Sequence, residues 1–547
     1  MKVIFTALAL CFSMMAMAQR EDSVKNLKTF AEYLGFDFTD AERDSMIESL
    51  KDYKGVYDDM HKLNINNSAK FPFAFEPAVK GTKIPVPSNK MAWNIPNNVT
   101  LPANKNDLAF YPVMKLASLI KKRKISSLEL TQFFLDRLKK YDDTLHCVIS
   151  FTEEKALAQA RLADEEIKKG KYRGPLHGIP YGIKDLFAVK GTKTTWGSTP
   201  YKDQSIYEDA FVYKKLEEAG AVLCAKLSLG ALAYDDVWFG AMTRNPWDMT
   251  TGSSGSSAGS ASATSAGLLP FAIGTETWGS IISPSHTCGV TGLRPTFGSV
   301  SRTGGMVLSW SLDKVGPICR NAEDAAIVFS YIKGADAEDV SSIERAFNYP
   351  VKKDIKNMRI AYAGNYFKRL PKDAPEHQAL DAYRKMGANL IEVNFPDSIY
   401  TADVINIILS AESAAAFEEL TLSGKDDLIE RQDKNFWPNI FRSGRMIPAA
   451  EYINANRHRY ALSEGLNNFM KQYDVVIVPS FAGRQSAMTN LTGHPAICFP
   501  VGFRKNGLPT SISLIGNLYD EASIITAAKA FQDNTDFEEK HPPYFVK

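Results

Sequence analysis

The sequence predicts an α/β fold built on a partly parallel β-sheet, preceded by a helical extension. Three observations carry this. Gly178 to Val189 is an apolar, strand-like run; Asp209 to Ala219 reads as a helix stopped by Gly220; Ala221 to Lys226 is strand-like again. Strand, helix and strand in that order make a βαβ unit, which needs parallel strands. The run Tyr473-Asp474-Val475-Val476-Ile477-Val478-Pro479 reads as a further core strand. The length of 547 residues leaves room for one large domain or several ordinary ones.

Composition is that of a soluble globular protein, with 45% hydrophobic and 23% charged residues. A formal charge of +2 gives no electrostatic reason to expect a nucleic-acid partner or an anionic membrane surface. The first 18 residues read as a signal peptide. Lys2 is the positive end, Val3 to Met17 is mostly apolar, and Ala16-Met17-Ala18 is an A-x-A cleavage site before Gln19. Leu10 is too large for the position ahead of a lipidated Cys11. No later run reaches the roughly 18 apolar residues of a spanning helix, so no stable membrane insertion is expected. Cys147, Cys224, Cys288, Cys319 and Cys498 are widely spaced, without C-x-x-C or a zinc pattern, and read as buried thiols. No metal and no cofactor are expected, and no phosphate-loop pattern is present.

In chain order, residues 22 to 65 read as helical. Thr39-Asp40-Ala41-Glu42 is a capping box. Met46, Leu50, Tyr53, Tyr57 and Met60 follow at alternating spacings of four and three, a stripe expected to pack on the main body. Residues 66 to 106, rich in Pro, Asn and Lys, read as an extended connector. Ser126-Ser127-Leu128-Glu129 is a second capping box, and Leu130, Phe133, Phe134 and Leu138 mark the helix face behind it. Further helices are read around Asp403 to Leu420, from Ala449 to Lys471, and from Asp520 through Phe531. The divisions are therefore 1–18, 19–107 as extension and connector, and 108–547 as the main domain.

The stretch Thr250 to Ser280 organises the rest. A Gly/Ser linker is its plainest reading. Against it, Ala becomes nearly as frequent as Ser after position 257, which favours helix, and the run leads directly into the strand-like Leu268 to Gly274. Upstream, Lys184 and Asp185 are the polar residues of an apolar strand. A buried lysine loses its proton readily and can act as a base.

Lys184, Ser256 and Ser280 together resemble the Ser-cisSer-Lys triad of the amidase signature family. The family pattern GGSSGGSAAA falls on Ser254 to Ala263. Ser253-Ser254 is a competing register, but 280 − 256 = 24 is the family's serine spacing, and Arg244-Asn245-Pro246-Trp247-Asp248 then aligns without a gap. The resemblance spans about Leu108 to Phe531. It implies a large mixed sheet covered by helices on both faces. It also implies Ser280 as nucleophile, Ser256 after a cis peptide bond as proton relay, Lys184 as base, and the backbone N–H groups of Thr277, Trp278, Gly279 and Ser280 as oxyanion hole. Ile282 stands where arginine is common two residues after the nucleophile, which is similar to the bacterial peptide-amidase-like branch. His177, His286 and His494 are expected to be structural.

The expected function is hydrolysis of the C–N bond of a small amide or amidated peptide by an exported, periplasmic or extracellular amidase. The alternatives are an A-like subunit of an amidotransferase acting on charged tRNA, and a secreted binding protein with an inactive amidase fold. The sequence does not specify an oligomeric state. The export reading predicts that protein recovered from the cell envelope or medium begins at or within a few residues of Gln19 by N-terminal sequencing; an intact Met1 there would overturn it.

Overall fold

A computed structural model describes residues 22–62, 66–87, 92–398 and 402–546 of the chain; the signal peptide read at 1–18 lies outside them. The chain divides into two units, Met1–Asn66 and Asn67–Lys547. In the first, a helix over 22–33 precedes the helix Asp40–Lys62. Its capping box forms as read: Thr39 N donates to Glu42 Oε2 (2.7 Å) and Glu42 N to Thr39 Oγ1 (3.3 Å). The expected burial of the apolar stripe is corrected, because Leu50, Tyr53, Tyr57 and Met60 are 38–55% exposed. The helix buries Arg43 and Ile47 instead, residues four apart along the edge of that stripe.

The second unit is organised by a mixed sheet of 11 strands. In chain order these are β1 (Val148–Phe151), β2 (Pro180–Lys184), β3 (Val222–Leu227), β4 (Phe271–Glu276), β5 (Thr291–Arg294), β6 (Lys314–Cys319), β7 (Ile360–Ala363), β8 (Leu390–Val393), β9 (Val475–Pro479), β10 (Ala496–Phe503) and β11 (Pro509–Gly516). Their spatial order is β1-β3-β2-β4-β6-β5-β10-β11-β9-β7-β8. The βαβ unit read from the sequence is present: β2 pairs parallel to β3, and the helix Phe211–Glu218 lies between them in the chain. β2 also pairs parallel to β4, and β7 to β8 and β9, while the central pairs are antiparallel. Every residue of β2, β3, β6, β9 and β11 is buried, as expected of strands covered on both faces.

Helices cover the sheet. Ser127–Leu145 begins at its capping box, with Ser126 accepting from Glu129 N, and Glu521–Gln532 is capped by Asp520. The Ser-rich stretch forms the helix Ala258–Ser265, buried along its whole length. Its side chains are small, so it lies close to the strands: a Cβ on Gly259 would stand 2.3 Å from the Cys147 carbonyl oxygen. Its hydroxyls are satisfied by carbonyls. Ser260 donates to Ile273 O (3.0 Å), Ser262 to Arg244 O (2.8 Å), Thr264 to Ser260 O (2.8 Å) and Ser265 to Cys288 O (2.6 Å). A run that composition alone marks as a linker is thus core helix, because each polar group finds an acceptor. The five described cysteines are buried and free. Among the described residues no helix is long and apolar enough to cross a membrane.

The centre of the sheet is equally close-packed. A Cβ on Gly316 of β6 would stand 2.1 Å from the Leu293 carbonyl oxygen of β5. Gly316→Ala is therefore expected to destabilise the protein by about 1–3 kcal/mol, seen as a lower melting temperature; an unchanged melting curve would contradict the tight β5–β6 packing.

Candidate active site

β2 ends at Lys184, β4 leads into the loop 277–281, and the turn ahead of the buried helix presents Ser256. Lys184 and Ser256 therefore meet although 72 residues separate them. The fully buried Lys184 Nζ donates to Ser256 Oγ at 2.8 Å, Ser257 Oγ at 3.2 Å and Thr275 Oγ1 at 2.9 Å. An ammonium has three protons, and these three hydroxyls take all of them. Burial pushes the Lys184 pKa down from 10.5 to about 7, although Asp313 and Glu276 act in the opposite direction. The amine is therefore available in neutral form near neutral pH.

The Gly255–Ser256 peptide bond is cis, as the resemblance implied. Glycine is required before it for space: a Cβ on Gly255 would lie 1.8 Å from the Asp235 carbonyl oxygen. The choice of register also agrees with the geometry. Ser253 Oγ donates to the Ser254 carbonyl (2.9 Å) and Ser254 Oγ shares a hydrogen bond with Ser283 (2.7 Å), so neither faces the lysine. Ser257 N donates to the Ser280 carbonyl at 3.1 Å, joining the two serine segments. Among the described residues Ser280 Oγ makes no hydrogen bond to Ser256; contacts of this kind often close only when substrate is bound.

The loop carrying Ser280 is shaped from below by Glu276. Its Oε2 accepts from Ile281 N (2.9 Å) and Ile282 N (3.0 Å), and its Oε1 from Arg294 Nη1 and Asn490 Nδ2 (2.9 Å each). Burial alone would raise this carboxyl, but the charges of Arg294 and Lys314, with the Ile282 N–H, outweigh it and hold the pKa down at about 2. Thr277 Oγ1 donates to Asp313 Oδ1 at 2.6 Å. Gly279 takes φ +91°, which turns the chain between Trp278 and Ser280. The backbone N–H groups of Trp278, Gly279 and Ser280 donate to no other described residue. Trp278 is 40% exposed, so its bulk stands outside the packed loop.

Asp185 points away from Lys184, as its chemistry requires. It pairs with buried Lys226 (2.6 Å) and accepts from Thr195 N (2.8 Å) and Thr195 Oγ1 (2.6 Å). The three histidines serve other partners: His177 accepts from Arg173 N (3.1 Å), His286 meets Ser511 Oγ (2.5 Å) and His494 meets Thr492 Oγ1 (2.7 Å). Burial lowers all three, His177 to about 4 and the other two to about 3. The sequence does not mark Thr275 or Ser257 as partners of Lys184. A signal for Thr275 existed, since it lies on β4 ahead of the loop. For Ser257 only the turn into the helix decides which way the hydroxyl faces. No group of metal-ligating side chains occurs among the described residues.

The chain is similar to known proteins over most of its length. A family model described as Amidase matches residues 129–488. The chain is 33% identical over 477 residues to the A subunit of the glutamyl-tRNA(Gln) amidotransferase of Methylococcus capsulatus, covering 78% of this chain and 98% of that protein. It superposes on the peptide amidase of Stenotrophomonas maltophilia with a TM-score of 0.72 at 28% identity, over 81% of this chain and 100% of that one. For the A subunit of the Thermotoga maritima glutamyl-tRNA(Gln) amidotransferase the values are 0.66 and 26%, over 78% and 96%.

Glu276→Gln should cost about 3–5 kcal/mol, since it leaves the buried Arg294 without its counter-charge. The sign with pH follows from the depressed carboxyl. Its contribution is complete above about 4.5 and is lost as pH falls toward about 2. Denaturation of both proteins across that range should show the gap narrowing in acid; a constant gap would contradict the assignment.

Proposed function

The chain belongs to the amidase signature family and is an enzyme acting on amide C–N bonds; on that premise we propose that it is an exported amidase hydrolysing a small amide or amidated peptide through Lys184, Ser256 and Ser280. The observation that carries this reading is the contact of a buried, easily deprotonated Lys184 with Ser256 behind the Ser280 loop.

Neutral Lys184 takes the Ser256 proton while Ser256 takes that of Ser280. Ser257 cannot replace Ser256 in this relay, because its own proton is directed to the Thr275 carbonyl at 3.1 Å. Ser280 Oγ attacks the amide carbon, and the carbonyl oxygen becomes an oxyanion facing the N–H groups of the 277–280 loop. The protons return through Ser256 to the leaving nitrogen, the C–N bond breaks, and ammonia or an amine departs. Water then hydrolyses the Ser280 ester by the same relay in reverse. Export rests on the N-terminal segment, with Lys2 and Ala16-Met17-Ala18.

A second reading, an A-like component of an amidotransferase, is favoured by a specific observation: the 33% identity to relatives of that name. Ile282 in place of arginine and the signal-like N-terminus favour the free hydrolase. The two separate by partner dependence. The hydrolase alone should release ammonia or amine from a panel of amides, whereas turnover of glutamine only, and only with added partner proteins, would establish the second reading.

In the same assay, activity should rise with pH through about 7 and stay high in alkali. Lys184→Ala should cost about 10²–10⁴-fold or more. Lys184→Arg should not restore the rate, because arginine keeps its proton. Retained turnover in Lys184→Ala, with loss on replacing His286, would overturn the lysine mechanism.

A further inference from the structure

A cavity of about 300 Å³ reaches Thr275, the partner of Lys184, and Thr277, where the nucleophile loop begins. Part of its wall comes from Ser68 to Phe73, well upstream of residue 129, where the family match starts. That segment is fixed in place. The buried Asn67 side chain bridges the Val307 backbone, accepting from Val307 N (2.9 Å) and donating to Val307 O (2.8 Å) and Ala416 O (3.2 Å). The Phe71 ring lies 5.4 Å from that of Trp310. Beyond the cavity, Phe75 is held between the Phe297 ring (5.3 Å) and the Arg459 guanidinium (3.4 Å).

Of the charged groups lining the cavity, all but Glu208 are already engaged. Arg302 donates to both oxygens of Asp339 (3.1 and 3.0 Å) and to Trp310 O (2.5 Å). Asp313 accepts from Thr277, Leu308 N and Ser309 N. Lys314 donates to the Leu312 and Thr277 carbonyls. Lys70 pairs with Glu338, and these two, with Glu208, are exposed. A charged substrate group entering the cavity would lose its water and, apart from the exposed Glu208, find no free counter-charge among the described residues. An apolar ring would meet Phe71, Trp310, Met306 and Leu308. The volume is at the low end of the roughly 300–1,000 Å³ of small-molecule sites, which suits a single compact amide.

We propose that Asn67–Phe73 forms a substrate-binding wall additional to the family-matched part of the chain, and that Phe71 with Trp310 selects uncharged amides bearing an aromatic or bulky apolar group. The substrate class rests on the amidase reading above; the wall itself does not. Phe71 is a specificity residue and takes no part in the proton relay.

The test compares wild type, Phe71→Ala and Phe71→Leu on acetamide, phenylacetamide and acetanilide, the last two carrying the ring on the acyl and amine sides. Phe71→Ala should raise KM about tenfold for at least one ringed amide, with kcat nearly unchanged, and should change KM for acetamide much less. Phe71→Leu should recover part of the loss. The same comparison without turnover is calorimetric binding of phenylacetamide and acetanilide to Ser280→Ala protein, which Phe71→Ala should weaken about tenfold for the same amide. Equal losses on acetamide and the ringed amides, or unchanged binding, would overturn the wall. Binding that depends on Phe71 without any turnover by the wild type would overturn the amidase reading and leave the wall standing.

Discussion

The candidate site depends on one buried carboxylate. Glu276 ends β4, and its two oxygens accept from Ile281 N, Ile282 N, Arg294 and Asn490. Those partners come from the nucleophile loop, from β5 and from the helix Gln485–Thr492. One side chain thus joins three parts of the chain and fixes the backbone that follows Ser280. An unpaired carboxylate at this depth would be very costly. Arg294 supplies the counter-charge, and its second contact, to the His494 carbonyl at 2.9 Å, carries the network to the start of β10.

The chemistry rests on a second buried charge, handled in the opposite way. Among the described residues Lys184 has no carboxylate in contact. Its partners are hydroxyls, and the nearest carboxylate in sequence, Asp185, is occupied by Lys226 and Thr195. Glu276 is stabilised as an ion by its partner, whereas Lys184 is left to desolvation. Burial of both groups, with opposite pairing, holds one charged and frees the other near neutral pH. A close-packed small-residue helix makes this possible, because it brings Ser256 and Ser257 to the end of β2 and excludes water.

The N-terminal part shows where periodicity misleads. The Met46–Met60 stripe has helical spacing, and the helix forms, but spacing describes one face of a helix and not what covers it. Leu50, Tyr53, Tyr57 and Met60 are exposed. The connector, by contrast, carries no periodic signal, yet Asn67 and Phe75 are firmly held through a side-chain amide and a cation–ring contact. Contacts with residues hundreds of positions away leave no local pattern in the sequence.

By itself the sequence determined what short-range chemistry controls. The capping boxes at Thr39 and Ser126, the βαβ unit from 178 to 226, the apolar core strands and the order and spacing of Lys184, Ser256 and Ser280 were all legible there. Propensity, capping and side-chain alternation act over a few residues, and a motif keeps its spacing whatever surrounds it. Only the tertiary structure decided that Thr275 and Ser257 share the lysine's protons, that Asp185 turns to Lys226, and that part of the segment from Ser68 to Phe73 lines the cavity. Each of these depends on which distant group lies within about 3 Å and on how completely water is excluded, and both are set by packing.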